Sequence, residues 1–467
     1  METFLNQESI SKLLLVTQGF FMLYLIGYAS FLFLGVVIGG NELFENIKRN
    51  KLRNRIKHDY YIPISIIVPA YCEEVTIRET IKSLLNLDYK LYEIIVVNDG
   101  SKDGTAERVI KDFNLHEVNK PIRLRIKCKP YESVYENSIE EKVRITLVNK
   151  ENGGKADSIN MGINASRYPY FICMDADSVL EKDALEKIVT PVLEDNKVVA
   201  VGGMIRISND SIFKDGCLVE QKLPKKLLPA IQVLEYERSF LASRILLDKF
   251  NANMIISGAF GLFKKDVVIA VGGYCSSTMG EDMEVIVKLH SYHRSNNLPY
   301  KIRYAYEAVC WTQAPEQLKD LVKQRKRWHI GLLQSLVIHR DLKWSFSYIY
   351  YLIYELLSPF IEITGVIVML LAVVVDIVDF EVMLSFISLY ALFGVVLTLV
   401  SFLTRNYSSS AKISGKDVIR AILLCIPETL YIHIVLLWTR IFALVFYKRN
   451  QSWGKIKRVS IDYREEQ

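Results

Sequence analysis

Residues 62–70 read Ile-Pro-Ile-Ser-Ile-Ile-Val-Pro-Ala, a short, β-branched and almost wholly apolar run. Such a run has no polar face to offer solvent, so it is predicted to be a strand covered on both sides. Similar runs recur at 92–98, 144–149, 168–174 and 198–207. Helical patterns lie between them, over 75–87, 103–113, 155–165 and 182–193. Strand alternating with helix predicts an α/β domain with a mainly parallel sheet, whose ligands gather at the C-terminal strand ends. The charged stretch 114–143, with Pro121, Pro130, Glu136, Glu140 and Glu141, breaks this rhythm and reads as a surface insertion.

Outward from this domain the composition changes. Residues 13–38 carry no charged side chain, which is longer than the roughly 20 residues a helix needs to cross a bilayer. The run is too long for the apolar part of a cleaved signal, and no convincing small-residue cleavage site follows it. Lys48, Arg49, Lys51, Arg53, Arg55 and Lys57 come next. Positive charge beside a span favours the cytosolic side, so the following domain is expected inside and the N-terminus outside.

After Asp341 apolar segments run over 346–375, 382–403 and 421–447. The first link between them carries Asp376, Asp379 and Glu381, and the second Arg405, Lys412 and Lys416, which places the first outside and the second inside. Pro427, Glu428, His433 and Arg440 interrupt the last segment. A hairpin or re-entrant bend near Pro427 is expected, because it keeps the basic tail of Lys448, Arg449, Lys455, Lys457 and Arg458 cytosolic. Glu355, Glu362 and Glu428 lie inside apolar segments, where an unpaired charge costs roughly 3 kcal/mol. They are expected to face a polar cavity, a partner side chain or the interface.

The chain of 467 residues is 51% hydrophobic with a net charge of +6. Much of the basic excess sits beside the membrane segments, so no nucleic acid is needed to explain it. Seven cysteines are scattered singly, without Cys-x-x-Cys or His-Cys spacing, and are read as reduced and without structural zinc. His290, His293 and His329 show no ligand spacing and are read as structural.

Five polar motifs punctuate the domain. Asp99 ends the 92–98 run at a Gly-Ser turn, so its carboxylate is placed in the crevice at the sheet edge; with Asp103 it could equally cap the next helix. Asn152-Gly153-Gly154-Lys155-Ala156-Asp157 puts two glycines and a cation before a helix, a turn that suits a phosphate-bearing ligand or is a plain loop. Asp175-Ala176-Asp177 sets two carboxylates at a strand end, a donor set for Mg²⁺ or Mn²⁺ unless it is a solvated loop. Gly280-Glu281-Asp282 opens a helix over 283–292 and could supply a base for a hydroxyl proton, or only an acidic helix N-terminus. Gln324-Arg325-Lys326-Arg327-Trp328 joins cations suited to a diphosphate with an indole on which a sugar ring can rest. The same motif fits a basic interfacial helix over 316–339.

In this order the motifs resemble those of membrane-embedded processive family 2 glycosyltransferases, the group of cellulose, hyaluronan, chitin and poly-N-acetylglucosamine synthases. The Gly-Glu-Asp and Gln-Arg-Lys-Arg-Trp versions are most similar to bacterial poly-β-1,6-N-acetylglucosamine synthases. The resemblance implies a GT-A, Rossmann-like cytosolic domain at 58–345, between an N-terminal helix and basic linker (1–57) and C-terminal transmembrane or interfacial helices (346–447), with a basic tail at 448–467. It implies Pro69, Ala70, Tyr71, Glu73 and Asp99 around the nucleotide, and Lys155, Asp157 and Asp175 near the donor sugar. Asp177, with Asp175, would hold the metal. Asp282 would be the general base with Glu281 beside it, and Gln324, Arg327 and Trp328 would meet diphosphate and acceptor. Gly258, in the run Ser257-Gly258-Ala259-Phe260-Gly261, would line the acceptor path, though the run could equally be a packed strand end.

The expected reaction is inverting polymerisation of a UDP-sugar into a β-linked extracellular polysaccharide at the plasma membrane, with a growing polymer as acceptor and small accessory membrane or export subunits as partners. N-acetylglucosamine follows from resemblance alone; a β-glucan or hyaluronan-like product, a single transfer to a lipid carrier, and a silent nucleotide-sugar sensor stay open.

Overall fold

A computed structural model describes residues 7–53, 61–138, 140–214, 217–408 and 413–447. The strands are β1 (Ile64–Ala70), β2 (Tyr92–Asp99), β3 (His116–Glu117), β4 (Tyr131–Glu136), β5 (Arg144–Lys150), β6 (Tyr170–Cys173), β7 (Val179–Leu180), β8 (Val198–Ile207), β9 (Ile212–Lys214), β10 (Cys217–Glu220), β11 (Gly261–Lys264) and β12 (Lys301–Thr312). The helices of the domain are α2 (Ile77–Leu85), α3 (Thr105–Asp112), α4 (Lys155–Ala165), α5 (Ala184–Glu194), α6 (Leu227–Arg238), α7 (Ile245–Lys249), α8 (Lys265–Ala270), α9 (Glu281–Ser295) and α10 (Leu318–Ile338). They are preceded by α1 (Gln7–Arg53) and followed by α11 (Phe346–Tyr350), α12 (Ser358–Val374), α13 (Phe380–Ser408), α14 (Gly415–Pro427) and α15 (His433–Val445).

Ten strands form one sheet in the order β3-β4-β5-β2-β1-β6-β11-β8-β12-β7. β5, β2, β1 and β6 are parallel neighbours, as are β8 and β12. β11 lies antiparallel between β6 and β8. The mainly parallel α/β domain expected from the apolar runs is therefore what the chain forms, and every residue of β2 and of β8 is buried. One apolar core, with Ile66, Val68, Ile94, Val96 and Leu185, lies on one side of the sheet. A second, with Ile67, Ile95, Val97, Ile159 and Phe171, lies on the other. This alternation along β1 and β2 shows why both faces had to be apolar.

The 114–143 segment is more than an insertion on the surface. β3 and β4 extend the sheet edge antiparallel to β5. Glu136 is buried there, accepting hydrogen bonds from Lys120 (2.8 Å), Arg144 and Thr146 (3.2 Å). These polar edge strands have no apolar run to announce them, and Glu140 and Glu141 stay exposed.

Three helical stretches, Lys12–Glu45, Phe380–Thr404 and Gly415–Val445, are long and apolar enough to cross a membrane; the pair Phe346–Leu356 and Ser358–Val374, bent by 52°, makes a fourth if taken as one. The bend precedes Pro359, whose ring disfavours helical geometry at the preceding residue. The hairpin expected near Pro427 is not formed. The chain passes from α14 through a wide turn at Glu428–Ile432 into α15 as a single 31-residue stretch. A π-type turn accommodates the missing proline donor without reversing the chain.

This last helix touches the α/β domain along its length. Arg420 donates to the Lys225 carbonyl (2.5 Å), Glu428 pairs with Arg238, Ala443 packs with Met279 and Ile330, and the Tyr447 hydroxyl accepts from Gln334 (3.3 Å). Residues 420 and 447 are roughly 40 Å apart along a helix. Contact at both ends means that the helix lies along the domain. Arg55, Lys57, Lys412 and the basic tail 448–467 fall outside the described residues.

Two of the three carboxylates inside the apolar segments, Glu428 and Glu362, have side-chain partners. Glu428 is 3% exposed and takes both arms of the Arg238 guanidinium, at 2.8 and 2.9 Å. Arg238 also donates to Thr398 (2.6 Å). Glu362 lies 2.9 Å from His433 Nε2. Glu428, Arg238, Glu362 and His433, with Glu235 and Arg440, line a polar cavity of about 50 Å³, room for a few waters but not for a sugar ring.

Candidate active site

β1, β2, β5 and β6 all point their C-terminal ends to one edge, with Ala70 opposite Asn98 and Asp99 opposite Lys150. The motifs meet beyond this edge. Lys155, the first residue of α4, reaches across to Asp175 just past β6, with Nζ 2.5 Å from Oδ1. Its ammonium is also 3.8 Å from Glu281, at the start of α9. Asp282 Oδ2 accepts the Gly258 amide (3.0 Å) and Oδ1 the Met283 amide (2.9 Å), so the carboxylate is aimed by two backbone donors. A Cβ on Gly258 would lie 3.1 Å from Lys155 Nζ and 3.3 Å from Asp282 Oδ2. Residues from four distant stretches, 155, 175, 258 and 281–282, thus share one cleft.

The charges are tightly coupled. Burial opposes the Lys155 ammonium, but Asp175, Glu281 and Asp282 outweigh it and raise its pKa, so it stays a cation at neutral pH. Burial raises the Glu281 pKa; Lys155 opposes the rise, Asp282 adds to it and Arg327 opposes it.

Asp99 is 4% exposed, and both its oxygens are turned inward: they accept from Lys150 Nζ (2.7 Å), Gly153 N–H (2.9 Å) and Gly154 N–H (2.8 Å). Asp157 faces Lys150 too, at 2.8 Å. Pro69 and Ala70 end β1, and Tyr71, 38% exposed, stands at the rim. Beside it Cys72 N–H donates to Ser101 (2.9 Å) and Glu73 N–H to Thr105 (3.0 Å), while the Glu73 carboxylate accepts from Thr76 (2.8 Å). Asp177 is nearly buried after β6. Among the described residues no group of three or more His, Cys, Asp and Glu is preassembled as a metal cage.

Gln324, Arg327 and Trp328 all lie on α10. Arg325, which the motif's spacing passes over, is buried: it pairs with Glu235 (2.8 Å) and lies 4.4 Å from the centroid of the Trp328 ring. The ring is backed on one side and remains 37% exposed. α10 also packs against the Gly280-Glu281-Asp282 loop. A Cβ on Gly280 would come within 3.0 Å of Gly331 Cα, and Met279 N–H donates to Gln334 (2.8 Å). His339, at the end of α10, meets Glu284 of α9 at 3.0 Å. Sequence spacing gave no sign of Gly331, Gln334 or Lys150, because a glycine in a helix and a lysine ending a strand look ordinary.

His290 bridges Tyr300 (2.7 Å) and the Asn253 carbonyl (2.9 Å), and burial brings its pKa down to about 4. Six cysteines whose side chains are described are free thiols.

Comparison with known proteins adds the family. A model of glycosyl transferase family 2 matches residues 65–272, and one of glycosyl transferase family group 2 matches 170–439, more than half of the chain. The chain belongs to glycosyl transferase family group 2. Its sheet agrees with the GT-A arrangement expected from the motifs. Among curated members, two poly-beta-1,6-N-acetyl-D-glucosamine synthases of Staphylococcus epidermidis are similar. One is 30% identical over 311 residues, 66% of this chain and 64% of the relative; the other is 31% identical over 327 residues, 69% and 67%. The synthase of the same name from Staphylococcus aureus strain COL is 33% identical over 268 residues, 57% of this chain and 54% of the relative. The chain thus spans 64% of the length of the first of these relatives. A solved mannosyltransferase from Pyrobaculum calidifontis, in complex with GDP-Man and Mn²⁺, is 17% identical with a TM-score of 0.49, over 86% of this chain and 99% of that one.

Proposed function

We propose that the chain is an inverting, processive glycosyltransferase that joins N-acetylglucosamine from its UDP-sugar into a β-linked polymer at the inner face of the plasma membrane. The observation that carries this reading is the gathering of Lys155, Asp175, Glu281 and Asp282 in one cleft at the C-terminal sheet edge. The similarity to poly-beta-1,6-N-acetyl-D-glucosamine synthases supports the choice of sugar. Glucose, glucuronate-containing polymers and a lipid carrier as acceptor are the other readings, and product analysis separates them.

In this reading the rim Pro69, Ala70, Tyr71 and Glu73 surrounds the nucleotide base, and Asp99 and Asp157 shape the donor loop. Lys155 and Arg327 meet the diphosphate as cations, with Gln324 on the same helix. Two oxygen donors at a strand end fit a hard divalent ion that completes its shell with diphosphate oxygens, so Asp177 and Asp175 would hold Mg²⁺ or Mn²⁺. When bound, that ion neutralises charge developing on the departing diphosphate. Asp282 accepts the proton of the acceptor hydroxyl as its oxygen attacks, held in place by the Gly258 and Met283 amides. Direct attack by that oxygen inverts the anomeric centre. Glu281 keeps the Lys155 ammonium in position beside it.

Trp328 offers its free face to the acceptor ring while Arg325 backs the other. Trp328→Ala is expected to shorten products with little change in donor affinity; sizing the polymer by gel filtration checks this, and unchanged length removes the stacking role.

We assign 1–57, 58–345, 346–447 and 448–467 as anchor and linker, catalytic domain, membrane helices and tail. Basic residues after the first span support a cytosolic domain. The contacts of the Gly415–Val445 stretch with the domain at both ends support an in-plane position, with the tail on the same side as the domain. Small accessory membrane subunits are compatible with exposed apolar faces such as that of α13.

Purified protein in detergent, given UDP-N-acetylglucosamine, UDP-glucose or UDP-glucuronate with Mg²⁺, tests the assignment. Incorporation from the first alone, abolished by chelation, is expected; exclusive use of another donor overturns the sugar assignment.

A further inference from the structure

Lys150 ends β5 with its side chain wholly buried, 0% exposed, directly under the Gly153-Gly154 turn. A lysine is seldom placed so deep without paired charges, and here there are two. Nζ lies 2.7 Å from Asp99 Oδ1 and 2.8 Å from Asp157 Oδ1, and donates to the Glu151 carbonyl at 2.5 Å. Asp99 comes from the end of β2 and Asp157 from the first turn of α4, so one ammonium ties the neighbouring strand to the helix that carries Lys155.

The rest of the turn hangs on Asp99. Asp99 receives the Gly153 and Gly154 amides, and its carbonyl receives Asn152 Nδ2 at 2.8 Å. Gly154 adopts φ +89°, a conformation an L side chain rarely takes, and starts α4 so that Lys155 reaches Asp175. Asp157 is held from the other side by the 114–143 segment. Both its oxygens accept the Lys129 N–H (3.1 Å each), while Glu151 N–H donates to the Pro130 carbonyl (3.2 Å). Further along α4, Asn164 accepts from the amides of Arg125 (2.9 Å) and Ile126 (3.0 Å) and donates to the Ile126 carbonyl (2.8 Å). The segment that interrupts the strand and helix rhythm therefore wraps the donor loop.

We propose that Lys150 is a positioning residue for donor binding: through Asp99 and Asp157, with the 114–143 segment bracing Asp157, it sets the 152–155 turn that aims Lys155. The proposal rests on the reading of this cleft as a nucleotide-sugar site. In it Asp99 and Asp157 act chiefly as counter-ions of Lys150, which accounts for their inward orientation. Lys150 itself touches no substrate.

The wild type carries one positive and two negative charges in this pocket. Lys150→Met leaves two facing carboxylates, and Lys150→Met with Asp157→Asn returns the net charge to its original value. UDP binding to the full chain in detergent with Mg²⁺, measured by calorimetry, reads the turn without requiring turnover. Lys150→Met is expected to weaken UDP about tenfold or more and to raise the donor KM alike, with kcat at saturating donor close to the wild type. The double variant is expected to regain most of the lost affinity, which simple loss of packing or direct donor contacts by Asp157 would not allow. Unchanged UDP affinity in Lys150→Met, a fall in kcat with KM unchanged, or additive losses in the double variant overturns the proposal. If Lys150→Met alone does not fold, the double variant against Asp157→Asn decides: equal or tighter UDP binding in the double variant supports the coupling, and tenfold weaker binding refutes it. Wild-type protein that binds no UDP refutes the nucleotide-sugar reading itself, a result distinct from all of these.

Discussion

Asp282→Asn is expected to lower sugar transfer by roughly 10²- to 10⁴-fold, the contribution a positioned base makes. UDP-sugar affinity in the variant is expected to stay within about threefold of the wild type, since a base acts in the transition state and not in donor binding. The amide is nearly isosteric and its oxygen can still accept the Gly258 N–H, so the geometry around the cleft survives. What is lost is the capacity to take a proton. Initial rates over a range of donor concentrations, with calorimetric UDP binding beside them, measure both halves. Wild-type turnover removes Asp282 from the role of base. Lost binding with unaltered kcat at saturation moves it to the donor site.

Arg238→Leu has the largest expected effect on stability. Glu428 is held on both oxygens by the guanidinium, with Thr398 and Thr429 close by. Removing the cation leaves a buried carboxylate unpaired, which costs about 3–5 kcal/mol. Unfolding in detergent shows the loss, and Arg238→Leu with Glu428→Leu recovers much of it, because two apolar groups leave no uncompensated charge. The pair ties α6 to the Gly415–Val445 stretch, so the double variant also shows whether the domain and this apolar stretch stay docked without it. A fully stable single variant would mean that water reaches Glu428 through the small polar cavity beside it.

The parts of the fold legible in the sequence are those where burial writes directly into residue type. β2 and β8 are covered on both faces, so each is built around an apolar run, Ile94-Ile95-Val96-Val97 in β2 and Val198-Val199-Ala200-Val201 in β8. The glycine pair before Lys155 gave α4 its start, and its bounds follow. Most other ends within the α/β domain differ by a residue or two, as fraying and cap geometry allow, while α9 runs three residues past its expected end. Pairing is another matter. β11 has only four residues, Gly261–Lys264, and nothing local says that it inserts antiparallel between β6 and β8. β3 and β4 are edge strands with polar faces, so they carry no apolar signature.

The same division runs through the cleft. Lys155, Glu281 and Asp282 stand out because they follow glycines at helix starts, and Asp175 because it follows a buried strand. Asp99 stands at the expected turn, but its carboxylate faces Lys150 and not the open crevice. Nothing in a strand ending Val-Asn-Lys reveals that the lysine turns inward. Proline in an apolar segment suggested a reversal at Pro427; the wide turn at Glu428–Ile432 absorbs it instead.

The most direct test is the product itself. Membranes containing only this chain, supplied with UDP-N-acetylglucosamine and Mg²⁺, are predicted to accumulate a long polymer of N-acetylglucosamine, entirely β-linked by NMR of the purified material. Products that stop after one sugar, or an α-linkage, would contradict an inverting, processive synthase.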